Sequence, residues 1–290
     1  DSIQAQHYQV YFNDEGFDFL NRFVAEQRPS KIFLLADKHT NECCTPIVLS
    51  LLATDIPLEI IEIEVGETHK HIDTCTQVWY ALSELGADRK SLLINIGGGV
   101  VTDLGGFVAS TYMRGIPFIN IPTSLLAMVD ASVGGKTGVD LGALKNLVGV
   151  INNPQGVVIY PDFLATLPTE ELRSGMAEMF KHGLISDEAY WHKMCNLSEL
   201  TEAHLGSLIY ESVIIKNKVV TQDPTEKGLR KTLNYGHTLG HAIESYCLQN
   251  PNRERLLHGE AIAIGMVLAT YLSVKELGFS MDKCDQVKAV

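Results

Sequence analysis

Nothing in this chain is long and apolar enough to cross a bilayer: the longest apolar run, Ala261 to Val274, is broken by Gly265 and reads as a core helix. The N-terminal residues Asp1-Ser2-Ile3-Gln4-Ala5-Gln6-His7 lack both a basic start and an apolar core, so no secretory leader is expected. Cysteine is sparse and unpatterned. The six residues Cys43, Cys44, Cys75, Cys195, Cys247 and Cys284 form no C-x-x-C pair and no framework spacing, which points to reduced thiols in a cytoplasmic protein. Positive charge is also scarce: 23 Lys and Arg stand against 35 Asp and Glu, a net charge of −12. That balance excludes a broad nucleic-acid or anionic-membrane surface, so no such partner is expected. An anionic small molecule would need a local cluster of cations working against the overall field. Repeats and low-complexity segments are lacking too.

What is present describes a folded protein with a sizeable core: 290 residues, 46% hydrophobic and 20% charged. Up to about residue 165, short β-branched runs alternate with helical stretches. Lys31 to Ala36, Glu59 to Glu64, Ser91 to Ile96, Pro117 to Ile121 and Gly156 to Tyr160 read as strands. Strands separated by helices imply a parallel sheet covered on both faces. After Pro168 the strand signals stop and helical patterns follow, over 170–184, 189–194, 205–220, 234–247 and 258–277. The expected fold class is therefore an α/β, Rossmann-like N-terminal domain with a parallel sheet over residues 1–167, followed by an all-α domain over 168–290. A cleft between two such units is a common place for an active site.

Gly97-Gly98-Gly99-Val100-Val101-Thr102-Asp103 follows a buried strand and opens a helix expected to end near Gly115. Freed backbone amides and a helix N-terminus make a site for pyrophosphate there. The usual dinucleotide fingerprint wants a third glycine where Thr102 stands, so the alternative is a tight turn with no ligand. Gly134-Gly135-Lys136-Thr137 resembles the end of an NTPase phosphate loop, but Asp130 stands where that motif requires Gly, and the reading is rejected. Asp37, Glu67 and Lys70 follow strands, where a nucleotide ribose would lie. Lys136, Lys145 and Asn146 stand singly among Gly, Val and Leu, which suits placed contacts better than a solvated face.

Leu233-Asn234-Tyr235-Gly236-His237-Thr238-Leu239-Gly240-His241-Ala242-Ile243-Glu244 puts two imidazoles on one helix face, four residues apart. Leu257-His258-Gly259-Glu260 leads into another apolar helix, and an earlier one carries Glu178 and Lys181. A carboxylate with imidazoles is a usual donor set for zinc or a similar ion. Buried histidines satisfied within a core are the competing explanation. The H-E-x-x-H arrangement of metalloproteases is absent, and spacing alone assigns both His237 and His241 to the metal.

Four blocks, Gly97 to Asp103, Pro122 to Lys136, Glu178 to Lys181, and Arg230 to His241 continuing to His258, together resemble the 3-dehydroquinate synthase family of sugar-phosphate cyclases. The resemblance covers almost the whole chain. It implies an NAD site made by Asp37, Glu67, Lys70, Gly98, Gly99, Asp103, Thr123, Ser124, Leu126, Lys136, Lys145 and Thr166. It implies Glu178, His237 and His258 as ligands of one divalent metal, zinc or cobalt, with His241 as the acid-base histidine rather than a ligand. His241, Lys136, Lys181, Arg114 and Asp130 would form the catalytic set. Arg114, Asp130, Lys136, Lys145, Asn146, Lys181, Lys216, Arg230 and Asn234 would surround the substrate. That substrate is DAHP (3-deoxy-D-arabino-heptulosonate 7-phosphate), a phosphorylated sugar acid. The implied reaction makes 3-dehydroquinate and phosphate by transient oxidation, elimination, re-reduction and an intramolecular aldol closure, in a cytoplasmic homodimer.

Some features depart from the family pattern. His39 stands where many relatives have Asn, and an insertion around Cys247 to Arg255 reads as a surface loop. Family members continue beyond this C-terminus with more helix and another substrate-binding lysine, so a shortened chain is expected. Competing functions remain open on residues alone: another sugar-phosphate cyclase, a metal-dependent polyol dehydrogenase, or a non-catalytic metal- and nucleotide-binding module. The Lys216–Arg230–Asn234 set favours a substrate that bears a carboxylate.

Overall fold

Ile32–Asp37 reads Ile-Phe-Leu-Leu-Ala-Asp and is buried from end to end except at its last residue, as a strand covered on both faces must be. In the computed structural model, residues 1–290 are described apart from 143, 197–201, 251, 252, 254 and 255 and the side chains at 202, 203 and 249. The chain divides into two units, Asp1–Leu167 and Pro168–Val290.

The first unit runs β1 (Ser2–Gln4), β2 (Gln9–Phe12), α1 (Asp14–Gln27), β3 (Ile32–Asp37), α2 (Lys38–Cys43), α3 (Thr45–Leu51), β4 (Leu58–Ile63), α4 (Ile72–Glu84), β5 (Leu92–Gly97), α5 (Gly99–Thr111), β6 (Phe118–Pro122), β7 (Lys136–Leu141), β8 (Leu144–Ile151) and β9 (Val157–Ile159). Seven strands form one sheet in the order β1-β2-β9-β6-β5-β3-β4. The five strands legible in the sequence are β3, β4, β5, β6 and β9, all parallel to their neighbours. Two features go beyond that reading. β1 adds an antiparallel edge through β2, and β7–β8 make a separate antiparallel ribbon. β1 and β2 are short and β8 is largely exposed, so neither gives the buried apolar run that marks a central strand.

Phe33, Leu35, Leu93 and Phe118 point from the sheet into a core shared with Cys75, Val78 and Leu82 of α4 and Val101, Leu104 and Val108 of α5. Each such side chain, fully buried, contributes about 1.5–3 kcal/mol. Sheet order fixes where ligands can enter. The chain passes outward from β3 to β4 and then returns to β5 on the other side of β3, so their carboxyl ends flank a topological switch point. Asp37 and Gly97 stand at those two ends.

The second unit is helical, with no strand among its described residues: α6 (Thr169–Ser186), α7 (Glu188–Cys195), α8 (Glu202–Gln222), α9 (His237–Gln249), α10 (His258–Leu277) and α11 (Met281–Ala289). α9 starts three residues later than the periodicity predicts, because Leu229–Asn234 winds as a 3₁₀ turn and Gly236 takes φ +80°. Ala177, Ile262 and Met266 pack with Phe180, Leu184 and Tyr235 to join α6 and α10 to the turn that precedes α9. Two glycines permit close crossings. A Cβ on Gly265 would fall 2.0 Å from the Gly236 carbonyl oxygen, and one on Gly259 would fall 2.0 Å from that of Ser174. The second contact seats the N-terminus of α10 on α6, where Gly259 N–H also donates to Ser174 Oγ at 2.9 Å. Much of the insertion expected over Cys247 to Arg255 lies outside the described residues. No helix among the described residues is long and apolar enough to cross a membrane.

Candidate functional site

In the first unit the glycine loop ends β5 and caps α5 through Gly98, which has no side-chain cap of its own. Thr102 stands where the fingerprint wants glycine, and its hydroxyl donates back to the carbonyls of Gly98 and Gly99 at 3.3 Å. Thr123 N–H donates to the Gly97 carbonyl at 3.0 Å, bringing the turn after β6 beside the glycine loop. A Cβ on Gly98 would come 3.3 Å from Ser124 Oγ and one on Gly99 would come 3.4 Å from Ala131 Cβ, so the two loops touch through the glycines. Leu126 and Asp130 follow on that loop, Asp130 within a one-turn π-helix. Asp37 is engaged as the N-cap of α2, accepting from Thr40 N–H at 2.9 Å.

Beside this edge lies a polar network. Lys70 Nζ, 4% exposed, donates to Asp103 Oδ2 at 2.6 Å and to Asn146 Oδ1 at 2.6 Å. Burial alone would lower the pKa of the ammonium. Asp103, with Glu67 behind it, overrides that and raises it, so Lys70 is held charged. Lys145 pairs with Glu67 at 3.3 Å. Asp140, a residue without a role in the sequence reading, ties the pieces together: its N–H donates to the Lys70 carbonyl at 2.8 Å, and its Oδ1 accepts from Asn146 N–H at 2.7 Å. Asn146 sits at φ +52°, a conformation Asn tolerates better than most residues.

Not every residue expected in the first unit joins this network. Lys136 begins β7, at the opposite end of the ribbon from Lys145 and Asn146. Arg114 lies on the turn that leads into the amino end of β6, the other edge of the sheet, where it lines a groove of about 480 Å³ with Ser110, Asn152, Asn153 and Gln155. Thr166 is exposed on the 3₁₀ turn after β9, its hydroxyl donating to the Phe163 carbonyl.

The second unit brings Glu178, Lys181, His237, His241 and His258 together on α6, α9 and α10. Glu178 is 0% exposed and Lys181 is 1% exposed, one turn apart on α6 and hydrogen-bonded to each other. His237 Nε2 lies 3.5 Å from Glu178 Oε1, and His258 Nε2 lies 3.8 Å from the same oxygen. The rings of His237, His241 and His258 stand 5.2–5.6 Å apart between centroids. One ring nitrogen from each can be chosen so that all lie within 4.8 Å of one another.

His237 Nδ1 faces the Tyr235 carbonyl at 3.2 Å. A carbonyl can only accept, so Nδ1 carries the hydrogen and a neutral ring turns the lone pair of Nε2 toward Glu178. A lone pair aimed at a carboxylate oxygen is repulsive unless a cation sits between them or the ring takes a second proton. The donor set, its burial and this geometry fit a divalent ion with nitrogen and oxygen ligands.

Further along the unit, Arg230 is 3% exposed and Lys216 5%. Arg230 is fixed from below. Asp223 accepts N–H bonds from Lys227, Gly228 and Arg230, and those backbone donors hold its carboxyl below the usual range. Arg230 also donates through Nη1 to the Pro224 carbonyl at 2.8 Å. Asn234 Nδ2 donates to Glu226 Oε1 at 2.7 Å, and Glu226 holds φ +58°. Glu226, Asp223 and Glu244 were not picked out from sequence. Glu244 had a readable signal, seven residues after His237 on the same helical face.

Solved sugar-phosphate cyclases share this fold. 2-Deoxy-scyllo-inosose synthase, complexed with carbaglucose-6-phosphate, NAD+ and Co2+, matches 99% of this chain and 79% of its own, with TM-score 0.88 and 25% identity. 2-Epi-5-epi-valiolone synthase from Streptomyces hygroscopicus subsp. jinggangensis, with NAD+ and Zn2+ bound, matches all of this chain and 81% of its own, with TM-score 0.85 and 26% identity. The model for the 3-dehydroquinate synthase N-terminal region matches residues 60–174, and that for the C-terminal region matches 175–290. The chain belongs to the 3-dehydroquinate synthase family, lyases of the shikimate pathway. A 3-dehydroquinate synthase of Parabacteroides distasonis is 46% identical over 274 residues, covering 92% of this chain and 76% of that relative.

Proposed function

We propose that this chain converts DAHP to 3-dehydroquinate and phosphate, using NAD and one divalent metal. The observation that carries the reading is the approach of His237 Nε2 and His258 Nε2 to Glu178 Oε1 in a chain that matches the family from residue 60 to 290. Glu178, His237 and His258 would hold the metal. When bound, a divalent ion supplies positive charge that lowers the pKa of a coordinated hydroxyl. NAD, which the carboxyl edge of the first unit would hold, would supply transient hydride storage, so that the overall reaction is redox-neutral.

The chain's own residues do the rest. Lys70 and Asp103, fixed by Asp140 and Asn146, would hold a ribose edge, with Asp37, Glu67, Lys145, Thr123, Ser124, Leu126 and Thr166 completing the nucleotide contacts. Gly98 and Gly99 leave room for a pyrophosphate at the start of α5. In the second unit Arg230 would grip the substrate carboxylate, its planar fork matching two oxygens at once. Lys181, Lys216 and Asn234 would hold phosphate and hydroxyl groups. His241, on the same face of α9 as His237, would move protons at the ring hydroxyls and the carbon acid. From the first unit, Asp130 and Lys136 are assigned to the substrate. Arg114, at the opposite edge of the sheet, does not join the set within this unit.

A polyol dehydrogenase would release NADH without phosphate, and a cyclase acting on a sugar phosphate that lacks a carboxylate would have no use for Arg230 as a carboxylate clamp. Homodimerisation and a cytoplasmic setting are part of the proposal. The dimer rests on the family resemblance, and the cytoplasm is supported by six cysteines, none in a disulfide. The test is phosphate release from DAHP with NAD and zinc, before and after chelation. Phosphate without net NADH supports the assignment; NADH accumulation without phosphate overturns it.

A further inference from the structure

Glu244 has no part in the set assigned above, yet it is 6% exposed and lies among the histidines. It stands on α9 seven residues after His237 and three after His241, so the three side chains share one face of the helix. Its Oε2 lies 3.4 Å from His258 Nδ1. At the opposite side of the same ring, Nε2 lies 3.8 Å from Glu178 Oε1. His258 therefore has a carboxylate at each ring nitrogen.

A neutral imidazole carries one hydrogen, and only one placement suits both neighbours. With the hydrogen on Nδ1, Glu244 accepts it and the lone pair of Nε2 points to the cation held with Glu178. The reverse tautomer would set a lone pair against Glu244 and a hydrogen where the cation belongs. We propose that Glu244 is a positioning residue that fixes His258 in the Nδ1–H form and aims Nε2 at the metal; this rests on the metal assignment made above. His237 receives the same service from the Tyr235 backbone carbonyl, which no side-chain substitution removes. The two imidazoles are thus oriented by different means, and only that of His258 depends on a replaceable group. A buried carboxylate is costly unless it has such a partner, which accounts for an acid buried beside these histidines.

The experiment compares full-length wild type, Glu244→Gln, Glu244→Ala and His237→Ala. Zinc affinity is measured by chelator competition, with the visible spectrum of the cobalt-substituted protein recorded in parallel. Loss of an outer partner of this kind weakens metal binding about 10–100-fold, expected for Glu244→Ala together with an altered cobalt spectrum. Glu244→Gln, whose amide oxygen still accepts from Nδ1–H, recovers most of the affinity and the wild-type spectrum. Melting temperature and NAD affinity serve as fold controls. Should Glu244→Ala fail to fold, ¹⁵N spectra of the zinc-loaded wild type decide the matter: His258 must carry its hydrogen on Nδ1. Wild-type affinity and spectrum in Glu244→Ala, a Gln variant as weak as the Ala variant, or an Nε2–H tautomer would each overturn the inference. If His237→Ala also leaves zinc binding unchanged, the metal assignment itself fails, a result distinct from failure of Glu244 alone.

Discussion

His237 Nε2 lies 3.5 Å from Glu178 Oε1, although the two residues stand on different helices, α9 and α6. What brings them together is backbone packing. α10 crosses α9 at Gly265 and rests its first turn on α6 at Gly259, so the cluster depends on positions that carry no side chain at all.

Gly259→Ala tests that dependence. The added methyl would fall 2.0 Å from the Ser174 carbonyl oxygen, a rigid backbone atom that has to move. Overpacking of this kind costs about 1–3 kcal/mol. The expected result is a lower urea midpoint together with weakened zinc retention, since His258 is the neighbouring residue. Unchanged zinc affinity would show that the seat of α10 on α6 does not set the site.

Replacing Asp103 addresses the first unit. Asp103→Asn leaves the Lys70 ammonium buried with Asn146 and without its nearest carboxylate. Breaking a buried pair costs about 3–5 kcal/mol, and the remaining Asn146 partner places this case at the lower end. Denaturant unfolding should show the loss, and NAD titration should show weaker binding, with zinc retention by the second unit unaffected. NAD affinity equal to wild type would remove Asp103 from the nucleotide site.

Substitution of Arg230 should act on the substrate and spare both cofactors. Arg230→Ala is expected to reduce kcat/KM for DAHP by about 1.5–3 kcal/mol, the usual loss for a hydrogen bond to a charged group. Lysine should restore little of it, because a point charge does not reproduce the two-pronged contact. Steady-state phosphate release decides the matter, and full activity toward DAHP in Arg230→Ala would show that Arg230 does not hold the substrate carboxylate.

Thiol chemistry provides a check on burial in the first unit. Cys44 and Cys75 are buried, and burial pushes each thiol up to about 12, with the nearby Cys43 and Asp37 adding to the effect at Cys44. Both therefore remain as unreactive thiols at pH 8, where a thiolate is the attacking species. A chromogenic disulfide reagent should label exposed Cys43 promptly and reach Cys44 and Cys75 only on unfolding. Rapid labelling of Cys75 would contradict the packing of α4.

Much of this was legible in the sequence, for reasons that can be named. β3, β5 and β6 are continuous apolar runs, and such runs have few alternatives to a covered parallel strand. His237, Glu178 and His258 were readable as metal-binding types, although spacing alone could not separate His241 from them. The β7–β8 ribbon escaped because Leu144, Leu147 and Ile151 are exposed, so its strands lack the alternation of buried and polar positions. With the ribbon went Asp140, whose two backbone-linked bonds exist only once Lys70 and Asn146 are neighbours. Glu226 was missed for a similar reason: its contact with Asn234 arises from a left-handed turn that no periodicity announces.

The most direct measurement is zinc content after gel filtration, paired with phosphate release from DAHP in the presence of NAD, for wild type, Glu178→Ala and His237→Ala. Wild type should retain zinc and release phosphate, and both variants should lose the two together while keeping their helical circular dichroism. Folded variants that still hold zinc and turn over DAHP at the wild-type rate would contradict the assignment.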